Sequence, residues 1–315
     1  MVILGEVRTG LLHNSGPLPR QAVADLLALR PGSRTSSVDR PVARTTSPDL
    51  VSGVDCALAT EPPRRARAIG TVATRAVVVG GVVVQSSART ALRWVTDRER
   101  RSWSHYAHRR GEVDVLGAAE PADVVRGGQR SESPRESLDL GSFSQRVLTL
   151  VQGRPQLDRR TALRTWPTRL RWSVTVGRQA CPTAHLHVDS DMRRTADLVV
   201  PPELVGEALR FCEDLALHDW LYTALDNVVE RVERDLAAGV DPIGLLRPAL
   251  TLLVRLWMPG ATVHPALWPL WEGFEESPGF SRTWTRNVAW VRDQVALRAV
   301  TAGRGTPPPS GRAGG

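Results

Sequence analysis

The stretch RARAIGTVATRAVVVGGVVVQSSA, residues 65–88, decides what kind of fold this chain adopts. It is dense in valine, threonine and isoleucine, whose branched side chains pack well on a pleated surface. Near its middle stand two adjacent glycines, Gly80 and Gly81. Apolar runs on either side of such a pair read as a hairpin, because tight hairpin loops need the positive φ that glycine adopts without strain. The stretch therefore predicts two or three strands. Upstream, VILGEVRT (2–9) reads as another strand, and SVDRPVAR (37–44) and SGVDCALAT (52–60) as extended segments. Between them, PLPRQAVADLLALRPG (17–32) carries Val23, Leu26, Leu27 and Leu29 on one stripe and ends at Pro31-Gly32, a helix with its stop signal. Residues 1–116 are thus expected to form a mixed or antiparallel sheet with one or two helices.

Residues 117–141, GAAEPADVVRGGQRSESPRESLDLG, are rich in Gly, Ser, Pro and charge, and read as a flexible linker or loop. SFSQRVLTLVQG (142–153) reads as a short helix, and three alternating strands follow: LRWSVTV (170–176), AHLHVDSD (184–191) and RTADLVV (194–200). Taken in order they suggest a three-strand meander. From Pro201 the period becomes helical. Leu204, Ala208, Phe211 and Leu215 make one stripe, and Leu221, Leu225, Val228, Val232 and Leu236 a second. His218-Asp219 between them reads as a joint, with Asp219 as a cap, or the two stripes belong to one kinked helix. Further helices are expected at 245–258, 265–276 and 280–300, and the tail 301–315 should be disordered. The fold class expected is α+β, with 142–300 holding the meander and a C-terminal helical bundle.

Composition narrows the functions. The chain has 315 residues, of which 42% are hydrophobic and 23% charged, which fits a globular protein. Its longest apolar run, AVVVGGVVV (76–84), is far short of the roughly 20 residues a membrane-spanning helix needs. The start MVILGEVRTG lacks the basic-then-apolar order of a signal peptide, so a cytoplasmic location is expected. Three scattered cysteines, Cys56, Cys181 and Cys212, fit a reducing compartment. All 41 basic residues are arginine. A chain without lysine has no P-loop lysine, no kinase-type ATP lysine and no Schiff-base chemistry. HExxH, GxSxG and GxGxxG are also missing. Charge is uneven: residues 1–117 hold 17 arginines against 10 acidic residues, and residues 201–298 hold 9 against 14. Attraction between a basic and an acidic part is the expectation, and arginine-mediated nucleic-acid binding by the N-terminal part is an alternative.

The densest polar motif is CPTAHLHVDSDM (181–192). On a strand, His185, His187 and Asp189 share a face, with successive residues about 6.5–7 Å apart. Two imidazoles so placed could grip a zinc ion with help from a third ligand, so these three are the metal candidates of a hydrolase reading. The competing reading is the wet face of an antiparallel strand. No catalytic or cofactor-binding residue is assigned otherwise, and no cofactor is expected outside that zinc. WSHYAHRRG (103–111) could present aromatic and basic side chains to a nucleotide, or pack its aromatics onto the sheet. Several tryptophans of the helical third sit at helical spacing with Leu or Val and are expected in the core; Trp268 and Trp271, beside Pro269, either pack there too or form a partner surface, since exposed Trp near Arg marks interfaces.

Several strings together resemble a family of actinobacterial proteins typified in Streptomyces: ILGEVRTGLL, RPVARTTSPDLVSGVDCAL, WSHYAHRRG, LHDWLYTAL, LWMPGA and PGFSRTW followed by VRDQVAL. The resemblance spans nearly the whole chain except the linker and tail. It assigns no activity, cofactor or catalytic residue. It implies a gene neighbourhood that also encodes a methyltransferase-like and a P-loop-like protein, and hence a component of a multi-protein system. The leading expectation is therefore a non-catalytic cytoplasmic scaffold or partner-binding subunit. Its partners would be other proteins, products of neighbouring genes; nucleic acid is the lesser alternative, and no membrane is involved.

Overall fold

Gly80 and Gly81 both take positive φ, 59° and 71°, and turn β5 (Ala66–Val79) back into β6 (Val83–Trp94). A computed structural model describes residues 1–95, 100–129, 136–161, 163–177, 181–188, 194–241, 243–277 and 279–304. The hairpin is the frame of a ten-stranded mixed sheet. The other strands are β1 (Val2–Leu11), β2 (Ser36–Val38), β3 (Arg44–Thr46), β4 (Leu50–Ala57), β7 (Glu112–Gly117), β8 (Thr168–Val176), β9 (Thr183–Val188) and β10 (Arg194–Val200). The spatial order is β2-β3-β5-β7-β6-β1-β8-β10-β9, with β4 also on β5. β5 and β6 pair directly near their turn, and β7 pairs with both where they part, antiparallel to β5 and parallel to β6.

β1 pairs antiparallel with β6 on one side and β8 on the other, so strands from before and after residues 117–141 share this sheet. Gly5 in β1 makes that pairing possible. Its partner is Trp172, and a Cβ on Gly5 would lie 2.0 Å from the indole. The segment read as a linker contains a helix, α3 (Pro121–Gln129). Its sequence holds few large apolar residues, yet proline opens the helix and the fully buried Val124 docks it on Val2 and Leu4. Residues 130–135 lie outside the described residues.

The expected meander is also redrawn. β8 pairs with β10 in parallel, and β10 pairs antiparallel with β9, so β10 lies between its two neighbours in sequence. Burial explains the choice. Ala196, Leu198 and Val200 of β10 are fully buried, whereas Ala184 and Leu186 of β9 are only half-buried. The better apolar strand takes the interior position and β9 becomes the edge.

Helices cover both faces. On one, α1 (Arg20–Leu27) and α4 (Leu140–Gln152) bury Leu26, Leu27, Val147 and Val151 against Ala76, Val78 and Val84. On the other lies α5 (Val205–Ala237), a single helix of 33 residues. The joint expected at His218-Asp219 is absent because both side chains are inside, so nothing there calls for a turn to solvent. Every residue from Phe211 to Leu221 is buried. One side of α5 meets Val7, Val77, Val83 and Val174 of the sheet. The other is covered by α6 (Ile243–Leu253), α7 (Pro259–Thr262), α8 (Trp268–Glu276) and α9 (Phe280–Arg304). A helix apolar all round is one that is packed all round. Residues 301–304 of the expected tail belong to α9, and 305–315 lie outside the described residues.

α5 is fastened to the sheet by charge. Glu213 accepts from Arg75 Nε (2.7 Å) on β5, from Arg44 (3.1 Å) on β3 and from Ser87 Oγ (3.1 Å) on β6, while Arg44 also reaches Asp214 at 2.5 Å. These pairs join the basic N-terminal part to the acidic helix. Removing one member of a buried pair strands the other, at a cost of about 3–5 kcal/mol. Glu213→Ala is expected to lose that much stability in urea unfolding. Adding Arg75→Ala should then cost less than Arg75→Ala does alone, since both residues serve one interaction.

Candidate functional site

β9 carries the histidine pair at the rim of the sheet. His185 and His187 are exposed, opposite Asp197 and Thr195 of β10. Asp197 accepts from Ser173 Oγ at 2.5 Å. Asp189, the third metal candidate, lies outside the described residues, as does Asp191. Among the described residues no three His, Cys, Asp or Glu side chains converge to hold a metal ion. Cys181 is exposed, Cys56 half-buried and Cys212 buried. His264 is occupied locally, accepting from the Ala266 amide at 3.2 Å.

In WSHYAHRRG, the aromatic ring that packs is Tyr106, which is buried, while Trp103 lies over Gly53 and stays 43% exposed. The arginines on the strands of this half are engaged with carboxylates, for example Arg67 with Asp55 (2.7 Å) and Arg89 with Asp49 (2.8 Å), as is Arg109 with Asp114 (3.0 Å) and Glu112 (2.7 Å), whereas Arg30, Arg34, Arg40, Arg65, Arg101 and Arg110, off the strands, form no ion pair among the described residues. That pairing makes the N-terminal sheet a poorer phosphate surface than its composition suggests.

The strongest electrostatic perturbations lie inside, along α5. For Glu213, burial works to raise the carboxyl, but Arg75 and Arg44 outweigh it and hold it below the usual range. For Asp214, burial prevails over Arg44 and the carboxyl is raised. His218 is fully enclosed and its imidazole is pushed down to about 4 by desolvation. Its Nδ1 bonds the Asp214 carbonyl at 2.8 Å. Its ring meets Trp257 and Trp271 edge-on, with both centroids 5.2 Å away, and Nε2 has no partner among the described residues. Asp219 is pushed up to about 7 by burial, against the pull of Arg194, whose Nε lies 2.5 Å away. Asp219 is therefore a buried ion-pair member and not the helix cap expected of it. These groups are sealed from solvent, so their chemistry is that of stability.

Of the two readings open for Trp268 and Trp271, core packing is the one the structure shows. Trp271 is 2% exposed and stacks near Phe280, and Trp268 is half-buried against the same core. α8 turns both toward α5, and Trp271 is removed from the partner surface. The outward-facing indole is Trp166, at 80% exposure. Its backbone is nonetheless fixed. The Trp166 carbonyl accepts from Trp220 Nε1 of α5 at 3.2 Å. Leu163 is buried in the core three residues before, and the next residue, Pro167, rests on Gly10 of β1. A residue before proline is held extended, which throws its side chain off the surface.

Around Trp166 runs an open groove at the end of the sheet where β1 finishes and β8 begins. α4 walls it from one layer with Gln145, Thr149 and Gln152, and α5 from the other with Asn227, Arg231 and Arg234. Arg164, His13, Thr161 and Thr165 add to its polar lining, which among the described residues includes no carboxylate. Arg164 and Arg231 make no ion pair among the described residues, while Arg234 touches only the Glu230 carbonyl, at 3.4 Å. Gln145 and Thr149 also line an adjoining groove that contains Arg146 and Arg169. In the sequence, TWP with arginine two before the tryptophan was a signal; what concealed it was that six other tryptophans crowd the helical third.

Two measurements test these assignments. Protein purified without a histidine tag is expected to hold no stoichiometric zinc and to keep its Tm after chelation; one zinc per chain, lost in His185→Ala, would reinstate the metal site. His218 stays neutral in the folded state and titrates near 6.5 when unfolded, so it contributes a loss of stability as pH falls through 6.5 toward 4. Asp219, with its raised value, works in the opposite sense, regaining stability as pH falls from 7. The diagnostic is therefore the difference between His218→Leu and the unaltered protein, which should move in the variant's favour by about 2 kcal/mol from pH 7 to pH 5 in urea unfolding. No family model matches this chain, and neither the curated proteins nor the solved structures include a match to it.

Proposed function

We propose that this protein is a non-catalytic, cytoplasmic binding component of a multi-protein actinobacterial system, and that it binds a linear anionic partner in the groove around Trp166. The observation that carries the reading is an indole 80% in solvent on a fixed backbone, beside arginines that form no ion pair among the described residues. Exposing a large aromatic ring forgoes its burial energy, and Trp and Arg are the residues most often found at the energetic centre of interfaces. The groove is cationic in its lining, while the arginines of the N-terminal sheet are matched with carboxylates. The hydrolase reading at His185 and His187 draws less support, because an exposed edge strand offers no enclosed site for a reaction.

Heparin chromatography tests the groove without presupposing the class of partner. The triple variant Arg164→Gln, Arg231→Gln, Arg234→Gln should elute at distinctly lower salt than the unaltered protein. A triple substitution of Arg20, Arg67 and Arg93, exposed but paired, should change elution less. Equal effects of the two sets would mean that net charge alone binds, and the groove reading would fall. Membership of an assembly is tested by size-exclusion with the products of adjacent genes, where a complex at micromolar concentration is expected and lone elution throughout counts against it.

A further inference from the structure

We infer that the groove takes single-stranded nucleic acid, with the Trp166 indole as the platform for one unpaired base and Arg164, Arg231 and Arg234 on the flanking phosphates. The inference rests on the proposal that the groove is the binding surface, and it names the occupant.

Three features select that occupant over an acidic polypeptide or a duplex. The first is the indole. A carboxylate-rich peptide would satisfy the guanidinium groups but leave a solvent-facing aromatic plane without a counterpart, whereas every base has a flat face to lay on it. Bases within a duplex are already stacked on each other, so only an unpaired one is open to this contact. The second is the spacing of charge along α5. Asn227, Arg231 and Arg234 follow at four and three residues, one helical stripe covering about 10 Å of axis beside the indole. The third is the character of the remaining wall. Gln145 and Asn227 carry amides that both donate and accept, as the edges of bases require, while the Gln152 amide is spent on the backbone of Leu11 and His13 and braces the wall. Beyond the groove Arg146 adds a further cation along α4, while Arg169 beside it is already paired with Glu6 at 2.6 Å and Asp139 also lines that adjoining groove. Rigidity adds to the case: Trp220 and Pro167 hold the loop in place, so little order has to be gained on binding.

Fluorescence anisotropy of labelled oligothymidylate and oligouridylate, each about 12 nucleotides long, tests this with the full chain. Binding in the micromolar range at about 50 mM salt is expected, with a log–log salt slope near −2 if three phosphates are neutralised. Trp166→Ala should weaken binding roughly tenfold or more, Trp166→Phe should weaken it less, and a duplex of equal length should bind more weakly than either single strand. Because the indole is in solvent, circular dichroism of Trp166→Ala should be unchanged. Adding oligodeoxyuridylate, which shares its base with one strand and its sugar with the other, tells ribose from deoxyribose as the source of the ligand. Unaltered affinity in Trp166→Ala, a duplex bound as tightly as the single strand, or no oligonucleotide binding at all would overturn the inference. If oligonucleotides fail while polyglutamate binds and the three groove arginines still govern heparin elution, the binding surface stands and its occupant is an acidic polypeptide. If the arginines do not govern elution either, both readings fall together.

Discussion

Glu213 and Asp214, buried beneath α5 and met there by Arg44 and Arg75 from the sheet, are the constraint on which the arrangement depends. A carboxylate inside a protein costs several kcal/mol of lost hydration, which only close opposite charge and hydrogen bonds can offset. That condition is met at one axial position of the helix. Sliding α5 by a turn, about 5.4 Å, would leave two guanidinium groups and two carboxylates buried apart. Apolar packing of α5 on the valine-rich face is far less particular, since Val77, Val79 and Val83 present similar surface to any leucine. Hydrophobic burial therefore supplies most of the adhesion and the ion pairs fix the register. From Glu213 to Arg231 is about 27 Å of rigid helix, so the same pairs determine where the groove arginines come to stand.

Local pattern revealed a good part of this in advance. The glycine pair and its flanking valines announced the β5–β6 hairpin, alternation placed the three later strands, and apolar spacing found most of α5. What it could not reveal was order in space. Alternation says which side chains share a face, but not which strand lies next to which, so it points to a meander ending at β10, whereas β10 lies inside, between β8 and β9. His218-Asp219 misled for a related reason. Two polar neighbours on an apolar helix imply a wet face only if one is exposed, and here the C-terminal helices close over it. The sheet spanning residues 117–141 was invisible because β1, its link, lies more than a hundred residues from β8.

Charge shows the same limit and its remedy. Composition alone makes the N-terminal part the basic one. In three dimensions Arg64, Arg67, Arg75, Arg89 and Arg109 each face a carboxylate, and Arg169 and Arg171 share the buried Glu6. Arginine suits this task, because its planar fork bonds a carboxylate at two points and it stays charged when buried. A lysine-free chain with many arginines is then expected to look less basic than it counts. The cations that matter for a partner are those left over after pairing, and that remainder is visible only once the pairs are known.

The tryptophans obey a parallel logic. Trp220, Trp257, Trp271 and Trp284 enclose His218 or fill the space between α5 and the C-terminal helices, with Trp257 and Trp284 stacked at 4.4 Å. Their number in that region reflects the volume to be filled around a helix packed on every side. Trp166 fills nothing. It stands where α4 and α5, from opposite layers, both line the groove at the end of the sheet, and its backbone is tied to Trp220, a member of that same core. An exposed ring on a yielding loop could fold back onto apolar surface at little cost. On this loop the backbone is held by a core leucine, a hydrogen bond from the Trp220 indole and a proline, so burying the ring by moving the chain would break those contacts, and a partner could cover it without breaking them.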